Sequence, residues 1–174
     1  MASPLELRCV LGKNPGMPDG PSLDPAIASL GFLLGSWKGK GSGSYPDIDD
    51  FEYLEVSTFT HVGKPFLAYT QRTRDATTGQ PLHSETGYLR PVDPGRAEFI
   101  VAQPSGVVEV HDVEVRDTTL LMRSTSVVLT PTAKQVDAVM RRIEVDRDVM
   151  AYRLEMSAMG KPLQHHLTAT LARS

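Results

Sequence analysis

The chain has 174 residues, a formal net charge of −3 and one cysteine, Cys9. That length suits a single domain with its own core. The mild acidity (pI about 5.9) speaks against nucleic acid or an anionic membrane as partner, and a lone cysteine excludes an intrachain disulfide.

No apolar run is long enough to cross a bilayer, and Met1 to Val10 lack the basic-then-apolar order of a signal peptide. A cytoplasmic setting is therefore expected. Residues 1–25 read as a flexible leader, because Gly12, Pro15, Gly16, Pro18, Gly20, Pro21 and Pro25 crowd one short span. The domain proper is expected over residues 26–174. It opens on a short helix with Asp24 as its N-cap, Pro25 at the first position, Ala26 to Leu34 as the body and Gly35 as the stop.

From Trp37 onward, turn clusters recur at near-regular spacing. They fall at Pro46-Asp47, Gly63-Lys64-Pro65, Thr77-Thr78-Gly79, Asp93-Pro94-Gly95, Pro104-Ser105-Gly106, Arg116-Asp117, Thr130-Pro131-Thr132, Asp146-Arg147-Asp148 and Gly160-Lys161-Pro162. Segments rich in Val, Thr, Tyr, Phe and Ile lie between them. Nine turns make ten segments. The clearest strand is Val149 to Met159, where Met150, Tyr152, Leu154, Met156 and Ala158 share one face. A long meander removes its free edges by closing on itself. The expected fold is all-β: a ten-stranded antiparallel up-and-down barrel, like the lipocalins and fatty-acid-binding proteins, with the helix at one end. Such a barrel encloses one small ligand in a concave interior.

Chemistry-bearing residues are sparse. His61, His83, His111, His165 and His166 show no zinc-ligand spacing. His165 and His166 are neighbours on one strand, so regular alternation points only one of them inward. His165 shares phase with Leu163, Leu167 and Leu171, and simple alternation favours it. The glycine-rich run from Gly35 to Gly43 is not a phosphate loop. It reads as a first strand in which Gly39 and Gly41 permit a close approach or a bulge, with Trp37 as a core anchor. Glu52, Glu55 and Glu85 lie on expected strands without a discernible partner. Arg141, Arg142 and Arg153 are candidates to grip a ligand carboxylate but read as surface charge, and Met140, Met150, Met156 and Met159 read as core packing.

The run Gly35-Ser36-Trp37-Lys38-Gly39-Lys40-Gly41-Ser42-Gly43-Ser44-Tyr45-Pro46 resembles the GxWxGxGxGxYP signature of the nitrobindins. Ordered similarities follow in Phe51-Glu52-Tyr53, His61 to Leu67, Tyr69-Thr70-Gln71, Pro81 to Arg90, Gln103 to Gly106, Thr132-Ala133-Lys134 and Gly160 to Leu167. The resemblance implies a ferric heme b with one axial histidine in a PLxxHL segment. Its residues here are Pro162, Leu163, His166 and Leu167, so it names His166 where alternation names His165. It also implies Thr58 beside the heme. The implied activity is isomerisation of peroxynitrite to nitrate, with nitric oxide binding and scavenging, on an apolar wall without acid or base. A homodimer is compatible with it. The competing expectation is a carrier of fatty acid or another apolar ligand that uses the same pocket without heme.

Overall fold

Asp24 caps the first element of the structure, a computed structural model that describes residues 20–174. The leader expected before it lies largely outside the described residues, as does Cys9. The Asp24 backbone is extended, and its carboxylate accepts a hydrogen bond from the Ala26 N–H at 2.9 Å. Pro25 then starts a helix over Pro25–Leu33, as expected, but of the tighter 3-10 kind. Its buried residues are Ile27, Leu30 and Leu33. Spaced by three, they fall on one face of a helix with three residues per turn.

Ten strands follow: β1 (Gly35–Tyr45), β2 (Ile48–Thr60), β3 (Leu67–Asp75), β4 (Pro81–Asp93), β5 (Arg96–Ala102), β6 (Val107–Arg116), β7 (Thr119–Leu129), β8 (Val136–Asp146), β9 (Val149–Ala158) and β10 (Gln164–Arg173). Every expected turn cluster falls at a strand junction. Asp47, Asp117 and Arg147 hold left-handed backbones there, a conformation that the two aspartates tolerate well. Each strand pairs antiparallel with its sequence neighbours, and β1 closes the barrel onto β10 from Trp37↔Arg173 to Gly43↔Leu167. Closure leaves no open edge.

The interior is layered. At the helix end, Ile27, Leu30 and Leu33 pack with Trp37, Phe59, Leu67, Leu89, Leu120 and Leu171 in one apolar cluster. Trp37 is fully buried and donates its indole N–H to the Leu33 carbonyl at 2.8 Å. The Arg173 guanidinium covers the indole at 4.1 Å and donates to the Leu34 and Phe32 carbonyls. Those contacts satisfy carbonyls that the end of a helix leaves unpaired.

The glycines of β1 are there for lack of space. A Cβ on Gly39 would stand 2.1 Å from the Thr170 carbonyl oxygen, and one on Gly41 would stand 2.2 Å from the Tyr53 ring. Tyr53 thus packs against β1 at Gly41, where no side chain stands in its way. Among the methionines, Met150 is buried in the core, but Met159 sits at a turn and is 59% exposed. The packing role expected for it is not met.

Candidate functional site

The end of the barrel away from the helix is open. A cavity of about 280 Å³ runs inward from it. Phe51, Leu82, Leu154, Met156 and Leu167 give it apolar walls near the mouth, and His83 and His166 face it there. Deeper, the lining turns polar.

His166 reaches the cavity because β10 is irregular. Its register on β9 slips between His165 and Leu167: His165 pairs with Glu155, and Leu167 pairs with the preceding residue, Leu154. One extra residue is accommodated, so His166 and Leu167 both line the cavity. His165 instead flanks an outer groove with Ser42, Ser44 and Asp50. Alternation counted from Leu167 and Leu171 therefore picks the histidine that does not line the cavity.

A second irregularity meets the first. The β1–β2 register shifts between Gly43 and Tyr45, which leaves Ser44 outside the ladders on both sides. Its carbonyl oxygen lies 3.2 Å from Nδ1 of His166. A carbonyl only accepts, so Nδ1 carries the proton and Nε2 keeps its lone pair. Burial lowers the His166 pKa from its ordinary value and keeps the ring neutral. The Tyr45 ring meets it edge-on at 5.2 Å. A neutral imidazole, oriented by a carbonyl and with its free nitrogen available, is what a soft or borderline metal centre requires.

Below the mouth lies a layer of buried charge that the sequence reading did not place. Arg141, read there as surface charge, is only 8% exposed. It donates to Glu85 through Nη1 at 2.7 Å and Nη2 at 2.9 Å, and to Glu109 through Nη2 at 2.8 Å. Glu109 also accepts from His111 Nε2 at 2.7 Å and from the Gln103 amide at 2.6 Å. Burial alone would push both carboxyls up. Arg141 outweighs it and, with His83 beside Glu85 and His111 beside Glu109, holds both below the ordinary carboxylate value. His111 is itself lowered by burial. Arg142 and Arg153 do lie at the surface, paired with Glu144 and Glu155.

A second polar group stands beside this one. Glu55 accepts from the Ser57 hydroxyl at 2.6 Å and the Tyr152 hydroxyl at 2.6 Å, and the Tyr53 and Tyr152 hydroxyls lie 2.7 Å apart. Burial raises the Glu55 pKa. The expected wall without acid or base is thus corrected: the mouth is apolar, but the chamber beneath it holds Glu55, Glu85 and Glu109. Inward alternation carried the signal. Arg141 shares phase with Val139, Ile143 and Val145, and Glu109 and His111 share phase with Val107 and Val113.

Thr58 does not take the place that the resemblance implies. Tyr53, Glu55, Ser57 and Phe59 are the cavity-lining residues of β2. Thr58 lies on the opposite phase, its hydroxyl 3.2 Å from that of Ser36. Of the motif, Trp37 sits in the plugged end, Gly41 lies against the Tyr53 ring, and Gly39 lies against the Thr170 carbonyl of β10. Among the described residues no group of three or more His, Cys, Asp or Glu is arranged to hold a bare metal ion, and no helix is long and apolar enough to cross a membrane.

Residues 26–173 match the family described as the THAP4-like, heme-binding beta-barrel domain. The chain belongs to this family. It is 53% identical over 155 residues to Peroxynitrite isomerase 2 of Mycobacterium avium, covering 87% of this chain and 96% of that protein. It is 50% identical over 158 residues to Peroxynitrite isomerase 1 of Mycobacterium tuberculosis H37Rv, with the same coverage, 87% and 96%. The crystal structure of Rv2717c from M. tuberculosis superposes with a TM-score of 0.81 at 49% identity, covering 88% of this chain and 99% of that one. The ten-stranded closed barrel is therefore the architecture shared with that solved relative.

Proposed function

We propose that this protein is a heme-dependent peroxynitrite isomerase, with His166 as the axial ligand. One observation carries the assignment of the ligand: the bulge at His166 aims its ring into the cavity while Ser44 fixes the proton on Nδ1. Nε2 is then the atom that holds iron. Membership of a heme-binding family and close similarity to two proteins named peroxynitrite isomerase support the activity.

The residues at the mouth fit the group. A porphyrin is flat and apolar with charged propionate edges, and Phe51, Leu82, Leu154, Met156 and Leu167 offer apolar surface around His166. When bound, ferric heme would supply the iron centre for the isomerisation of peroxynitrite to nitrate. Reactant and product have the same atoms and charge, so no net proton is consumed. The chain's part is mechanical and electrostatic. His166 would hold the iron through Nε2, Ser44 fixes the tautomer and orientation of His166, and the apolar residues of the mouth would pack against the porphyrin. Nitric oxide is a second small ligand for the same iron. A chain with one cysteine needs no oxidising compartment, which supports a cytoplasmic setting.

The carrier reading is disfavoured by the same chamber. A fatty-acid carboxylate needs a free cation, but Arg141 is already held by Glu85 and Glu109. Stopped-flow decay of peroxynitrite tests the assignment. The hemin-loaded protein should accelerate decay in proportion to its concentration and raise the nitrate yield. Decay no faster than with the same protein free of heme would rule the activity out.

A further inference from the structure

Two histidines reach the cavity mouth from nearly opposite walls. His166 stands near the start of β10 and His83 near the start of β4. Three strands, β3, β2 and β1, separate them one way around the barrel, and five the other way. Both line the same cavity.

His83 is tethered. Its Nε2 lies 3.6 Å from Oε1 of Glu85, two residues along the same inward face. Glu85 is tethered in turn, gripped through both oxygens by Arg141, whose other carboxylate partner is Glu109. A bidentate guanidinium–carboxylate pair fixes direction as well as charge. Arg141, Glu109 and His111 are buried, and within this cluster His83 is the half-buried member at the mouth. Nothing in the axial role of His166 uses this network. Burying several charges is unfavourable unless geometry or function requires it.

We propose that Glu85, fixed by Arg141, is a positioning residue that holds His83 across the mouth from His166, where His83 hydrogen-bonds a small anionic ligand on the open side of the heme. This rests on the axial assignment of His166. With Nε2 turned towards Glu85, Nδ1 is the ring nitrogen left to hydrogen-bond the anion. The ligand class is a compact monoanion with an electronegative donor atom, such as fluoride, azide or a peroxy anion. A ligand without charge or lone-pair density at that atom gains nothing from His83.

Fluoride binding to the ferric, hemin-loaded protein tests this. Iron-bound fluoride is a strong hydrogen-bond acceptor, and its visible charge-transfer band moves when a donor is removed. His83→Leu should bind hemin with an unchanged Soret band, yet lose about tenfold to a hundredfold in fluoride affinity and shift the charge-transfer band. Glu85→Gln should move both readouts in the same direction, and the double variant should be no worse than His83→Leu alone. If Glu85→Gln fails to fold because Arg141 has lost its partner, Glu85→Asp keeps the charge but draws it back from His83, with the same sign. Normal hemin uptake with unchanged fluoride affinity and band in His83→Leu would overturn this inference alone. A wild type that takes up no hemin would overturn the axial reading and this inference together.

Discussion

Nδ1 of His166 lies 3.2 Å from the carbonyl oxygen of Ser44, a residue that pairs with neither neighbouring strand. Two ladder irregularities meet at that contact, one on β1 and one on β10. The first frees a carbonyl, and the second turns the ring inward to use it. The contact predicts that ring orientation, and not the mere presence of a histidine near the mouth, decides cofactor binding. Removing the bulge by deleting His165 places the remaining histidine next to Leu167 in regular alternation and aims it outward. That deletion should abolish hemin uptake while the barrel's far-ultraviolet circular dichroism persists.

The glycines of β1 give a stability prediction. Gly41→Ala drives a methyl group into the Tyr53 ring, and Gly39→Ala drives one into the Thr170 carbonyl. A ring can tilt, whereas a strand backbone in a closed ladder cannot. Gly41→Ala should cost about 1–3 kcal/mol and Gly39→Ala more. Thermal melts of the two variants would establish the order.

Trp37 joins the helix to the barrel. Trp37→Phe keeps an aromatic ring but removes the donor to the Leu33 carbonyl and leaves a small void beneath Arg173. A destabilisation of about 2–3 kcal/mol is expected. Since Trp37 is the chain's single tryptophan, urea unfolding should be followed by circular dichroism, not fluorescence.

The charged layer predicts a pH dependence with a definite sign. Glu85 and Glu109 are held below the ordinary value of 4.5. Groups lowered on folding contribute stability that is present above their unfolded value and lost as pH falls through the folded one. The stability they contribute should therefore hold above about pH 5 and decline below it. Arg141→Met strands two buried carboxylates and should cost about 3–5 kcal/mol at pH 7. Protonation relieves them, so the gap from wild type should narrow towards pH 4. Urea unfolding at both pH values decides it, and a gap independent of pH would contradict the account.

The architecture was legible because turn chemistry and strand alternation agree along the whole barrel. Each break that separates two strands is marked by Gly, Pro or Asp, and β9 shows its buried face as a plain period of two. The site was legible only in part. Counting from Leu171 through Leu167 gives His165, because alternation has no symbol for an inserted residue; the resemblance gave His166 because it compares positions, not phases. Thr58 shows the converse. The resemblance placed it at the cofactor, yet its phase on β2, between Ser57 and Phe59, turns it outward. The charged layer was missed for another reason. Arg141, Glu85 and Glu109 obey alternation, but charge at an inward position reads as surface until its partners on distant strands are known. Glu85 and Arg141 are 56 residues apart, and no local pattern links them.

The central claim is that His166, through Nε2, holds the heme iron. Its most direct test is a visible absorption titration with hemin on the wild type, His166→Ala and His165→Ala. A saturable one-to-one Soret band is expected in the wild type and in His165→Ala, with its loss in His166→Ala and recovery on adding free imidazole. A Soret band that survives in His166→Ala but disappears in His165→Ala would contradict it.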